Sequence, residues 1–227
     1  MSGNDNQMKT VRLWYKKSGG AIYTSHLDMN RCFTRAVRMA DIPLWYTEGF
    51  NPHPYLNFLL PLPLGQTGMR EPIDIRPVGD ISNEEIKKRL NAVLPDGLEI
   101  VDVTEPIDKV NSVISSEYNI TAEFKTEGEA EGFSAGINAV IESGVLNAEK
   151  RSKKGAKTVN LCDYIRSFKA ENNGNEVNIV TILATGTSEN LNAGLLIESL
   201  CKEFGAEPEQ ISIARTDIYK ENNEKFK

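Results

Sequence analysis

A chain of 227 residues, 40% of them hydrophobic, can build one large domain or two small ones. No apolar run approaches the roughly 20 residues of a membrane span, and the polar start MSGNDNQMKT carries no signal-peptide core, so a cytoplasmic protein with no membrane partner is expected. The net charge of −6 is uneven: residues 1–80 hold nine Lys/Arg against seven Asp/Glu, residues 81–227 seventeen against twenty-five, which argues against indiscriminate nucleic-acid binding but leaves a local basic site open.

In chain order, Val11–Tyr15 and Ala21–Tyr23 read as short strands that could pair as a hairpin across Gly19-Gly20. Ser25 then caps a helix, with Asp28 three residues on, running to about Ala40. A Pro/Gly/Asn-rich stretch follows, with a strand at Leu56–Leu60 and an alternating, edge-like strand at Glu71–Arg76. Ser82 and Glu85 open a second helix, and Asp96-Gly97 turns into the strand Leu98–Val103. The remainder predicts a strand at Ser115–Phe124, a helix near Gly132–Ser143 and a basic hairpin over Val145–Leu161. A strand at Asn175–Leu183, a helix at Ser188–Phe204 and a strand at Ile211–Ile218 complete it. Strand–helix–strand–strand–helix–strand, read twice, gives an α+β chain of two ferredoxin-like halves in tandem, divided near residue 108. A single mixed α+β domain is the alternative.

Three segments could carry chemistry. On the first helix Met29, Cys32, Phe33, Ala36, Val37 and Ala40 form a core stripe. Asp28, Arg31, Arg35 and Arg38 share another side, where three arginines repel unless an anion lies among them. A solvated face is the plain alternative. Next, Tyr46-Thr47-Glu48-Gly49-Phe50-Asn51-Pro52-His53-Pro54 is a proline-stiffened loop suited to presenting Tyr46, Glu48 and Asn51 to a ligand, or else a structural turn. His26 and His53, the only histidines, are candidates for general acid–base work, since imidazole titrates near neutrality. His26 or Arg35 is expected to share one cleft with Asn51 or His53, with Glu71 or Asp74 as the opposing charge. Third, Lys150, Arg151, Lys153, Lys154 and Lys157 form a basic tip that suits phosphate contact or simple solubility.

Absent motifs narrow the function further. No phosphate-binding or dinucleotide loop, nucleophile elbow or zinc-protease signature occurs, and three scattered cysteines offer neither a disulfide framework nor a cluster site. No metal or cofactor is therefore expected.

Tyr23-Thr24-Ser25-His26-Leu27-Asp28, Arg31, Arg35-Ala36, Arg38, Ile42-Pro43-Leu44, Glu48 to Pro54 and Leu62-Pro63-Leu64-Gly65 together resemble the uncharacterised radical SAM-linked protein family, encoded beside or fused to a radical SAM protein. A weaker trailing likeness lies at Arg215-Thr216 and Tyr219. Met39-Ala40 departs from the Arg-Ala of such proteins. The resemblance implies an accessory role beside a radical SAM protein, with RNA as a further partner, and implies no reaction. Three functions follow as expectations: an accessory partner binding an anionic ligand such as RNA or a nucleotide; a metal-independent RNA-processing enzyme using His26 or His53; and a structural adaptor in which His26, Arg35 and Asn51 are mutually bonded and inaccessible.

Overall fold

The computed structural model describes residues 9–152, 155–186 and 189–227, without the side chains of residues 150–152, 155 and 156. The chain divides into two compact α+β units, one reaching Val110 and including Lys227, the other Asn111–Phe226. None of the described helices is long and apolar enough to cross a membrane.

In the first unit, β1 (Val11–Lys17) leads through a short 3-10 turn, Gly19–Tyr23, into α1 (His26–Met39). The expected hairpin partner Ala21–Tyr23 is thus helical rather than extended. Gly97 approaches this turn so closely that its carbonyl accepts from Ser18 N–H at 2.8 Å, leaving no room for a second strand there. After α1 come β2 (Leu56–Phe58), β3 (Thr67–Ile75), α2 (Asn83–Asn91) and β4 (Leu98–Thr104). The antiparallel order is β4-β1-β3-β2. β3, expected at an edge, therefore lies between β1 and β2; its mixed alternation reflects one apolar face and one polar, half-covered face. Both helix starts follow the capping logic: Ser25 accepts from Asp28 N–H, and Ser82 from Glu85 N–H.

Alternation along β1 sends Val11, Leu13 and Tyr15 to the helix side, where they bury with Phe33 and Val37 of α1 and Ile86 and Leu90 of α2. Arg12 and Trp14 face the other way yet are each only 1% exposed. Arg12 is held by both Asp74 oxygens, at 2.7 and 3.0 Å, and by the carbonyls of Lys227 and Asp108 at 2.8 and 3.0 Å. Trp14 donates to Thr104 and carries the Arg70 guanidinium 3.6 Å above its ring.

In the second unit, β5 (Ser115–Glu123), α3 (Glu127–Ser143), β8 (Ile165–Asn173), β9 (Glu176–Ala184), α4 (Ala193–Phe204) and β10 (Gln210–Tyr219) give the antiparallel order β10-β5-β9-β8. β6 (Asn147–Ser152) and β7 (Gly155–Asn160) pair as a separate hairpin. The helix α3 starts earlier than expected because Thr126 and Glu129 form a full capping box. Similarly, α4 starts at Ala193, capped by Asn192, later than the expected start at Ser188, which lies outside the described residues. The strand β8 was not expected: its sequence, IRSFKAENN, is largely polar because one face is exposed along its length.

Candidate functional site

The exposed side of α1 is where the predicted arginines lie. Ser25 fixes its start: the hydroxyl accepts from Asp28 N–H and donates to the Asp28 carboxylate at 2.7 Å. That bond, with Arg31 at 3.2 Å, holds the Asp28 carboxyl below its usual range. One turn on, Arg35 is exposed and has no ion-pair partner among the described residues. Beside it runs a cleft of about 420 Å³. Its rim is the exposed Asp28, Arg31, Arg35 and Met39; Cys32 and Ala36 are the more buried part of its lining; its far wall is Val93 and Pro95. Burial pushes the Cys32 thiol upward, against the pull of Arg35, which keeps it protonated and weakly polar. Arg38 shares the exposed side of the helix but lies outside the lining.

The far wall is set by two anchors. Arg89 in the last turn of α2 donates to the Asp41 carbonyl, tying α2 to the end of α1, while pairing with Glu85 at 2.7 Å. Beyond it, the turn Pro95-Asp96-Gly97 is pinned by Ser18, with Gly97 at φ +86°. A Cβ there would come within 2.3 Å of the Ser18 carbonyl oxygen, so only glycine fits.

The 46–54 loop is closed on itself. Tyr46 bridges Pro54, and Thr47 N–H donates to the His53 carbonyl at 2.9 Å. His53 Nδ1 lies 3.1 Å from both the Asn51 carbonyl and the Thr47 hydroxyl. Nδ1 is thereby engaged within the loop, as donor to the carbonyl or acceptor from the hydroxyl according to the tautomer. Glu48, Asn51 and His53 are exposed and Phe50 fully so. At its base Arg76 stacks on Tyr55 at 4.2 Å and Trp45 at 5.2 Å. His26, also exposed, packs edge-on against Phe58 at 5.3 Å.

The arginine-lined cleft is closed by Val93 and Pro95, and its lining does not include Asn51 or His53. The expected counter-charges are committed elsewhere, Asp74 to Arg12 and Glu71 to the neighbourhood of buried Lys17. Lys17, 2% exposed, donates to the Thr24 carbonyl at 3.0 Å just before α1. Desolvation lowers its pKa and Glu71 opposes that shift.

In the basic hairpin, Lys150 and Arg151 occupy β6 opposite Lys157 and Ala156, and Lys157 is exposed. Lys153 and Lys154 lie outside the described residues. The trailing motif converges on a residue that sequence reading missed: Thr216 donates to one Glu117 oxygen at 2.8 Å and Tyr219 to the other at 3.0 Å. Burial, followed by this carboxylate, pushes the Tyr219 phenol up to about 12. Val93 and Pro95 were missed too. Their only signal was position, directly after a capped helix and before a glycine turn.

Against known proteins, residues 10–193 match the family described as "Uncharacterized protein conserved in bacteria (DUF2344)", and the chain belongs to it. No curated protein matches. Among solved structures, one chain of a crystal structure of a Cbf5–Nop10–Gar1 complex is 13% identical with a TM-score of 0.49. That match covers 96% of this chain and 51% of the other, so this chain spans about half its length. An unknown protein from Galdieria sulphuraria is 12% identical with a TM-score of 0.26, covering 93% and 98%.

Proposed function

We propose that the chain is a tandem of two ferredoxin-like halves whose first half binds an anionic ligand and presents it to a separate radical SAM enzyme. The fold reading is supported by the same antiparallel order in each unit, in which the first and third strands of a strand–helix–strand–strand–helix–strand run lie side by side at the centre. The functional reading rests on one observation: Arg35 stands exposed at the rim of the α1 cleft without an ion-pair partner among the described residues, while its neighbour Arg31 is oriented by Asp28. An oriented guanidinium beside an uncommitted one is what a phosphate of RNA or a nucleotide would meet. Radical SAM chemistry would belong to the partner, in keeping with the sequence resemblance.

Anaerobic co-purification of the tagged chain from its native host tests the partnership. Recovery of an iron–sulfur protein is the expected result, and its absence counts against the reading. Arg35→Gln should weaken ligand binding with the fold intact.

A second reading, a metal-independent RNA-processing enzyme, draws on His53, whose Nε2 would be a proton acceptor when Nδ1 donates to the Asn51 carbonyl. Cleavage of host small RNA in EDTA, lost in His53→Ala or His26→Ala, is what that reading requires. The adaptor reading gains nothing from the site, since His26, Arg35 and Asn51 are all exposed.

A further inference from the structure

The α1 cleft pairs charge with an apolar interior, and we infer that its ligand is a small amphipathic anion: an organic phosphate or carboxylate with a compact apolar group beside the charge. The inference rests on the anion-binding reading above and replaces RNA or a nucleotide with a smaller ligand. Among the described residues only one rim guanidinium, Arg35, lacks an ion-pair partner, which suits a single anionic group. A polyanionic backbone would call for a run of cations, yet Arg38, the next arginine, is outside the lining. In the rest of the lining, Ala36, Met39, Val93 and Pro95 offer no hydrogen-bonding side chain, and Cys32 offers a protonated thiol. Such a lining cannot read the donor and acceptor edges of a base and carries no aromatic ring on which one would stack. It can only remove apolar surface from water. Met39 is 57% exposed, so apolar surface is available for a ligand to cover. The volume, about 420 Å³, is in the range of small-molecule sites and accommodates a six-membered ring with its anionic group.

Phenyl phosphate and inorganic phosphate, titrated calorimetrically into the full chain at one pH and ionic strength, separate the two contributions. Phenyl phosphate should bind at least about tenfold tighter, the return expected from burying one ring face. Arg35→Gln should weaken both ligands. Met39→Gln and the isosteric Val93→Thr, with thermal melts confirming the fold, should shrink the preference and spare inorganic phosphate. Equal affinities for the two ligands would overturn the amphipathic inference and leave the anion-binding reading standing. Binding of neither ligand, or binding indifferent to Arg35, would overturn both.

Discussion

Replacing Asp74 by alanine should destabilise the first unit by about 3 kcal/mol. Arg12 has a side chain only 2% exposed and Asp74 one 13% exposed, and two hydrogen bonds join them at 2.7 and 3.0 Å. Removing one partner of a buried pair leaves a charge unpaired in a poor solvent, a loss of about 3–5 kcal/mol. The partial exposure of Asp74 and the two carbonyls still bonded to Arg12 place the value at the low end. Asp74→Asn, which keeps an acceptor but not the charge, should cost about half as much. Both tryptophans, Trp14 and Trp45, lie in the first unit, so urea unfolding followed by tryptophan fluorescence reports on it selectively. Because the pair is shielded from solvent, added salt should leave the loss nearly unchanged. A cost below about 1 kcal/mol, or one that salt erases, would refute the assignment of Asp74 to Arg12. It would also return that carboxylate to the pool available to the α1 arginines.

Gly97→Ala should cost at least about 2 kcal/mol in the same assay, because its φ of +86° is strained for alanine and the new methyl meets the Ser18 carbonyl. Lys17 has a folded pKa below its unfolded value, so the unfolded chain binds that proton more readily and stability should rise as pH climbs toward 10.5. Lys17→Met should flatten that rise in urea midpoints measured across the alkaline range. Tyr219 shifts the other way: with a folded pKa of about 12 against 10, its contribution is complete below pH 10 and is lost between 10 and 12. Phenolate absorbance should include a late step that Tyr219→Phe removes.

Helix starts were legible where a side-chain cap sits directly before an apolar stripe, as at Ser25 and Ser82. They were misread where the cap was overlooked, as with Asn192 before α4. β8 escaped notice because its exposed face breaks the apolar run that marks a strand, while its inward residues, Ile165, Phe168 and Ala170, are spaced unevenly around a register shift. In the site, the arginine side of α1 followed from helical periodicity alone. Its far wall did not, because Val93 and Pro95 reach α1 through tertiary packing that no local pattern encodes. Asp74 and Glu71 illustrate the same limit: both were recognised as available negative charge, but strand register decided which cation each would meet.

Much of the motif that distinguishes this chain is accounted for by architecture. Ser25 caps α1, Thr24 offers its carbonyl to Lys17, and Gly65 N–H donates to the Ile22 carbonyl. Gly68 admits no side chain beside Leu62 and Glu71. The Asn51 carbonyl and the Thr47 hydroxyl orient the His53 ring. Each of these residues has a task that would persist if the protein bound nothing. Subtracting them leaves Arg35 and Arg38 on the outer side of α1, the exposed His26 ring, and the solvent-facing Tyr23, Leu27, Glu48, Phe50 and Leu64 among the residues still to be explained. No cap, ion pair or core contact described here needs two uncommitted arginines on one helix side, and their mutual repulsion is a small standing cost. Arg38, in the last turn, is compensated by the helix dipole, and an anion in the proposed α1 site would offset the repulsion on Arg35 while covering apolar surface.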